Sequence, residues 1–100
     1  MMHQIWKFPL RLKDNQLVRM PQGAKLLSVQ LQNGQIQLWA LVDLDYKERV
    51  NRMIAIRGTG HDVESALSDC EFIGTVQDGG LVWHVFDRGE KLMERAKWRQ

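Results

Sequence analysis

The sequence has few cysteines, no long apolar run and no secretion signal, which excludes several classes of protein. Its 100 residues include one cysteine, Cys70, so neither an intrachain disulfide nor a zinc site built from cysteines is possible. No apolar run approaches the roughly 20 residues that a membrane-spanning helix needs, and the first residues lack the charged-then-apolar pattern of a secretion signal. We therefore expect a cytoplasmic protein with no membrane association.

Neither sign of charge is in large excess. Lys and Arg number 14 and Asp and Glu 12, giving a net charge of +2, which is too small to indicate nucleic-acid binding by the chain as a whole. Segment 90–100 is more basic, with four Lys or Arg against two Glu. This segment suits either a solvated helix or contact with an acidic partner, nucleic acid included.

The clearest element that is present is a β-hairpin in residues 26–42. Asn33-Gly34 suits a type I′ turn, because both residues tolerate the positive φ angles that this turn requires. The resulting register, which pairs Leu27 with Ala40, sorts apolar side chains to one face and polar ones to the other. The apolar face comprises Leu27, Val29, Leu31, Ile36, Leu38, Ala40 and Val42, and the polar face comprises Ser28, Gln30, Gln32, Gln35, Gln37 and Trp39.

A second hairpin is expected in residues 71–86. A two-residue turn at Asp78-Gly79 pairs Gly74 with Trp83, although the glycine that follows leaves a three-residue loop with a bulge open. Both faces of these strands are fairly apolar. We therefore expect them to be central or covered on both sides.

Three further strands complete the pattern. Residues 5–12 alternate in polarity, but Pro9 cannot donate to a ladder, which indicates an edge strand. Residues 17–20 form a short strand, and residues 49–58 alternate again.

This pattern predicts a mostly β fold, a small antiparallel β-sandwich or partly open barrel of about six strands. A short helical turn is expected near 62–68 with Asp62 as its cap. The β domain spans 1–88, and 89–100 forms a basic C-terminal tail or short helix.

The motifs together carry a family resemblance over residues 5–86. The chain resembles a family of small bacteriophage and prophage proteins that carry the domain of unknown function DUF7352. The resemblance implies a phage-encoded origin and a compact, mostly β domain, without an activity or catalytic residue, and it treats the segment after Asp87 as an addition to the family core. The motifs are IWKFPL, MPQGA, LSVQLQNG, LWALVD, GTGH, FIGTVQ and GLVWHVF.

Two surfaces are candidates for binding. Glycines free the backbone of the 58–62 loop to approach a ligand, and successive N–H groups in such a loop can cradle an anion; a turn that ends a strand is the alternative. Its residues are Gly58, Thr59, Gly60, His61 and Asp62. The second surface, here the glutamine face, suits a partner's surface or nucleobases, or is simply the solvated side of a sheet. It comprises Gln30, Gln32, Gln35, Gln37 and Trp39.

Catalytic and metal-binding patterns are weak. His84 is either a general base or a core histidine bonded to a backbone carbonyl or cross-strand partner, and the expected register places Ile73 opposite it, with no carboxylate to orient it. The spacing of the three histidines predicts no metal site. Cys70 lies between two acids, whose negative charges disfavour a thiolate, so we expect it to be a poor nucleophile.

The function that this sequence favours is non-enzymatic. We expect an accessory protein that needs no cofactor and binds a host or phage protein or, as a homo-oligomer, itself. The alternatives are capture of a nucleotide-like small molecule at the 58–62 loop and nucleic-acid binding through the basic tail.

Overall fold

The computed structural model describes residues 2–91, within which the chain forms seven strands and one short 3₁₀ helix. The 3₁₀ helix, Ser65–Asp69, lies between the fifth and sixth strands. The strands are β1 His3–Pro9, β2 Asn15–Pro21, β3 Lys25–Gln32, β4 Gln35–Asp43, β5 Arg49–Gly58, β6 Glu71–Asp78 and β7 Leu81–Lys91.

The strands form two antiparallel sheets that pack as a sandwich. Sheet A has the order β1-β4-β3, and sheet B has the order β2-β5-β7-β6. The predicted class is therefore confirmed, with seven strands in place of about six. Among residues 2–91 the sheets do not close into a barrel, because β1 and β2 are edge strands that do not pair with each other. On the other side of the sandwich, β3 and β6 approach closely at Val29 and Gly74.

The core lies between the two sheets and follows from the period-two alternation of the strands. In sheet A, the inward side chains of β4 are fully buried. In sheet B, β5 contributes Ile54 and Ile56 to the core, in keeping with the alternation of its sequence. The buried core residues are Leu10, Met20, Ala24, Val29, Ile36, Leu38, Ala40, Val42, Ile54, Ile56, Val76 and Val85.

The first hairpin has the predicted turn and, near that turn, the predicted register. Asn33 and Gly34 have φ angles of 52° and 77°, and the pairing continues unbroken to Ser28 opposite Trp39. A β-bulge then shifts the register, so Ala40 pairs with Leu26 and not with Leu27. The expected pairing of Leu27 was wrong, because an unpaired bulge residue moves all later partners by one.

The second hairpin turns one residue later than the sequence suggested. Asp78 pairs with Leu81, so the two turn residues are both glycines, and Trp83 lies opposite Val76 and not opposite Gly74. Gly80 makes the later turn possible, because a glycine adopts the backbone angles of a tight turn without steric cost.

Several predicted boundaries moved. β1 ends at Pro9, so residues 10–12 belong to the linker that carries the chain from sheet A to sheet B. The helical turn lies at Ser65–Asp69, and the residue before it, Glu64, makes no side-chain cap, so the capping role predicted for Asp62 was wrong.

Strand β7 reaches Lys91, and residues 89–91, which we had assigned to the tail, therefore lie in sheet B. The expected C-terminal helix and the rest of the basic tail lie outside the described residues. Within those residues, no helix combines the length and apolar character that crossing a membrane requires.

An ion-pair cluster holds the β2–β3 turn against sheet B. The guanidinium of Arg52, which is more than nine-tenths buried, donates to the carbonyl of Ala24 at 3.1 Å. It also lies 3.5 Å from a carboxylate oxygen of Asp87 and 3.8 Å from one of Glu90, and Glu90 accepts a hydrogen bond from the N–H of Gly23. A buried cation is tolerated because these carboxylates and the carbonyl replace its water.

Candidate functional site

The 58–62 loop is a tight turn fastened to β7. The N–H of His61 donates to the carbonyl of Gly58 at 3.1 Å, and the N–H of Thr59 donates to the carbonyl of Val82 at 3.2 Å. Gly60 has a φ of 88°, which favours glycine. The N–H of His61 is bonded within the loop and the N–H of Thr59 is bonded to β7, so neither group is available to bind an anion.

His84 joins this loop to the outer face of sheet B. Its Nε2 lies 2.6 Å from the hydroxyl of Thr59 and its Nδ1 lies 3.0 Å from the hydroxyl of Thr75. Thr75 is its cross-strand partner, so the expected register with Ile73 was wrong. Neither described hydrogen bond of His84 involves a carboxylate, and this geometry makes His84 a bridge between two hydroxyls.

His61 lies against Gly58, which is paired with Trp83 of β7. A Cβ atom added at Gly58 would lie 2.8 Å from the His61 ring and 3.2 Å from the Trp83 ring, so the imidazole occupies the space that a side chain would fill. Crevices of about 220 and 330 Å³ flank this contact. Among the described residues, the indole Nε1–H of Trp83 is buried without a hydrogen-bond acceptor. The loop therefore borders two small crevices, and Trp83 helps to line both.

Segment 59–70 covers part of the outer face of sheet B. Leu67 is fully buried, although it is not part of the core between the sheets. Glu64 forms an ion pair with Arg57 at 3.0 Å and lies 3.8 Å from Arg88. Arg88 also donates to the side chain of Asn15 at 3.0 Å. The Glu64 contacts tie the segment to β5 and β7, and Arg88 in turn links β7 to β2.

The carboxyl of Glu64 carries a shifted pKa. A hydrogen bond with its own backbone, followed by the hydrogen bond from Arg57 and the charges of Arg57 and Arg88, lowers this pKa from its ordinary value of 4.5. Glu64 therefore holds its two arginine partners most firmly when it is ionised. We did not single out Glu64 or Arg57 from the sequence. The sequence feature that could have indicated this ion pair is Arg57 itself, a charged residue near the end of a strand that is otherwise mostly apolar.

The glutamine face lies on the outer side of sheet A, and its members have different roles. Gln30 and Gln32 are exposed, and the amide of Gln32 accepts a hydrogen bond from Lys7 at 2.7 Å. Gln35 donates to the carbonyl of Leu10 at 2.6 Å and so supports the linker. Gln37 is more than nine-tenths buried. Only part of the predicted patch is therefore free for a partner.

Exposed apolar side chains flank this face, and sequence reasoning missed them. Ile5 is 61% exposed on β1, next to the half-buried Leu41 of β4. Leu27, the unpaired bulge residue, is 42% exposed on the β3 side. Half-buried Trp39 lies on β4 between these strands. For Leu27 the bulge explains why, since it takes this residue out of the alternation that faces the core.

The two predicted surfaces are not brought together. The 58–62 loop belongs to sheet B, and the glutamine face belongs to sheet A. The three histidines also have separate surroundings: His3 lies 3.9 Å from Asp43, His61 lies on Gly58, and His84 lies between the threonines. Among residues 2–91, no three His, Cys, Asp or Glu side chains are placed to hold a metal ion.

Charge separates along the chain. Residues 1–42 contain five Lys or Arg and one acid, Asp14, whereas residues 43–91 contain six Lys or Arg and ten Asp or Glu. Strands β1 and β3 therefore carry no carboxylate, and β4 carries one at its last residue, Asp43. The outer face of sheet A is cationic through Lys7 and Lys25.

A comparison with protein families identifies the chain. The model of a domain of unknown function, DUF7352, matches residues 1–95. The chain belongs to the DUF7352 family. Because the DUF7352 match continues past Asp87, the idea that the segment after Asp87 is an addition to the family core was wrong. The searches of curated proteins and of solved structures both return no match.

Proposed function

We propose that this DUF7352 protein is a phage or prophage accessory protein that acts without catalysis, by binding a host or phage protein on the outer face of sheet A. The observation that carries the proposal is the pair of exposed aliphatic side chains, Ile5 and Leu27, on sheet A, whereas the contacts described for segment 59–70 are with sheet B. Burial of such side chains drives most protein association.

The chemistry of this face defines the partner. Trp39 and Leu41 supply half-buried apolar area between the two exposed aliphatic residues, and aromatic anchors are common in binding energy hot spots. Lys7 and Lys25 provide the charges, without a carboxylate on β1 or β3. The face therefore suits a protein whose contact surface has an apolar centre and a carboxylate rim. The proposal places the complex in the host cytoplasm.

Charge-bearing substitutions on this face provide the test. The double variant Ile5→Asp/Leu27→Asp puts carboxylates against the partner's own carboxylates, and Leu81→Asp, at an exposed leucine on sheet B, is the matched control. Proteins retained from an extract of the encoding bacterium are purified, and their affinity for each chain is measured by calorimetry. We expect the wild type and the control to bind alike and the double variant to lose about tenfold or more in affinity.

Three results would contradict this proposal. In the first, the purified partner binds the double variant as tightly as it binds the wild type. In the second, no protein retained from the extract binds the wild type once that protein is purified. In the third, sedimentation shows a wild-type dimer that the double variant loses, which would assign the face to self-association.

A second candidate function is capture of a small molecule at the 58–62 loop. The two crevices beside the loop favour it, because His61 and Trp83 line both of them and could contact a small ligand. Thermal melts with a panel of nucleotides test this function. A rise in midpoint that His61→Ala abolishes supports capture, whereas a flat panel contradicts it.

A further inference from the structure

His84, on the outer face of sheet B, holds one hydroxyl group at each of its ring nitrogens. Its Nε2 lies 2.6 Å from the hydroxyl of Thr59, and its Nδ1 lies 3.0 Å from the hydroxyl of Thr75. A hydroxyl beside an imidazole that a third group orients is the arrangement that activates a serine or threonine as a nucleophile. Neither of the functions proposed above uses this arrangement.

The strand pairing of sheet B brings these three side chains together. Thr75 of β6 is the direct cross-strand partner of His84. On its other side His84 pairs with Arg57 of β5, and Thr59 lies two residues beyond Arg57, which places its side chain on the face of the sheet that His84 occupies. The N–H of Thr59 donates to the carbonyl of Val82 at 3.2 Å and ties this residue to β7. The sheet therefore fixes the distances among the three groups.

The two hydrogen bonds allow His84 to act as a base toward Thr59. A neutral imidazole has one N–H donor and one acceptor nitrogen. In the tautomer whose Nδ1–H donates to Thr75, the Nε2 atom is the acceptor and can take the proton of the Thr59 hydroxyl. Thr75 is then the positioning residue, because it contacts the ring and not the reacting oxygen.

The Thr59 side of this arrangement is open to a reagent. Thr59 is exposed and lines a crevice of about 330 Å³. Two glycines, His61 and the apolar side chains of Leu81, Val82 and Trp83 complete the lining, and none of the described residues that line it is a Lys, Arg, Asp or Glu. The crevice therefore suits a small, uncharged, apolar group.

We propose that Thr59 accepts a short apolar acyl group from an activated ester, with His84 as the general base. The Oγ1 atom of Thr59 attacks the carbonyl carbon of the ester, and the hydroxyl proton passes to Nε2 of His84. The bond between the carbonyl carbon and the leaving oxygen then breaks, and the leaving group departs as an alcohol with the proton that His84 held. The acyl group stays on Thr59 as a new ester.

The inference does not rest on the function proposed for sheet A. Acylation consumes a residue of the chain itself, so one acylation per chain is compatible with a protein that acts by binding. The inference also differs from reversible capture of a nucleotide at the same loop, because a flat panel of nucleotide melts would contradict that capture and leave the acylation unaffected.

Incubation of the full chain with p-nitrophenyl butyrate, followed by acid quenching and peptide mass spectrometry, tests the inference. The butyryl ester should form on Thr59 at least about tenfold faster than on Ser68, an exposed serine whose described hydrogen bond goes to a backbone carbonyl and not to a base. This order is diagnostic because the primary hydroxyl of a serine is less hindered than the hydroxyl of a threonine.

Substitutions separate the roles of the three residues. Thr59→Val should abolish the label at this position, whereas Thr59→Ser should keep it. His84→Gln, whose amide can still bond to a hydroxyl, should slow acylation by about 100-fold or more, since it removes the base. Thr75→Val should slow acylation about tenfold by releasing the ring, and Thr75→Ser should restore the rate. Circular dichroism melts establish that each variant is folded.

The inference is overturned if no ester forms on Thr59, if Ser68 is labelled as fast as Thr59, or if His84→Gln is acylated at the wild-type rate. Release of p-nitrophenolate that requires His84 and not Thr59 would mean that His84 activates water, and the covalent step would be wrong. Equal rates for Thr75→Val and the wild type would contradict the positioning role of Thr75.

Discussion

The outer faces of the two sheets differ in how far the described chain covers them. On sheet B, segment 59–70 lies over the strands, with Leu67 fully buried and Glu64 paired with Arg57. On sheet A, Ile5 and Leu27 remain exposed. Within residues 2–91, the structure has a covering segment on part of sheet B and none on the outer face of sheet A, although sheet B also leaves Leu17 and Leu81 exposed.

The covered face gains stability in three ways. Leu67 removes apolar area from water, Glu64 neutralises Arg57, and His84 accepts or donates hydrogen bonds with two threonines. On the open face, Gln30 and Gln32 are exposed, Gln35 supports the linker and Gln37 is buried. Apolar side chains left exposed without a covering segment are typical of a contact surface for a partner.

The largest expected effect is that of Leu67→Ala. Because this side chain is fully buried under segment 59–70, its truncation should lower the free energy of unfolding by about 3 kcal/mol. Denaturant titration followed by tryptophan fluorescence measures the change. A loss below about 1 kcal/mol would mean that the segment is not a packed part of the domain.

A smaller effect is expected from Gly58→Ala. The new Cβ atom would lie 2.8 Å from the His61 ring; since His61 is exposed, its ring can swing aside, and the cost should be about 1 kcal/mol. The combination with His61→Ala should recover most of this loss. Equal destabilisation in the single and the double variant would show that the ring is not what a side chain at position 58 meets.

The ion pair on the covered face predicts a pH dependence. Since the pKa of Glu64 in the folded chain lies below its ordinary 4.5, its contribution is complete above that pH and is lost as the pH falls through the lowered pKa. The stability difference between the wild type and Glu64→Gln should therefore shrink on acidification. Urea titrations across this range measure it, and a difference that grows as the pH falls would refute the assignment.

The smallest effect is expected on the open face. Leu27→Ala should change the free energy of unfolding by no more than about 0.5 kcal/mol, because the side chain is 42% exposed in a bulge. The same denaturant titration allows direct comparison with Leu67→Ala, an identical change on the other sheet. A loss similar to that of Leu67→Ala would mean that another part of the chain covers Leu27.

The contrast between the two faces was only partly predictable from sequence. The alternation of residues 26–42 and the Asn33-Gly34 turn predicted the first hairpin, because side-chain period and turn chemistry are local properties. The bulge at Leu27 was not predicted, since the residues on either side of it read as an ordinary strand. The second turn was misplaced because consecutive glycines accept more than one register.

The candidate sites show the same limit. The 58–62 loop was recognisable from its glycines, and its contact with His84 was not, because this contact depends on the register between β5 and β7. Likewise, Glu64 reaches Arg57 through a fold-back of the loop that no local pattern specifies.

Hydroxyl-radical footprinting of the full chain compares the two faces most directly, because it measures the solvent access of two leucines in one sample. If sheet A is open and sheet B is covered, Leu27 will be oxidised several-fold faster than Leu67, and Ile5 will react at a rate close to that of Leu27. Equal rates for Leu27 and Leu67, or faster oxidation of Leu67, would contradict this arrangement and remove the basis for a binding surface on sheet A.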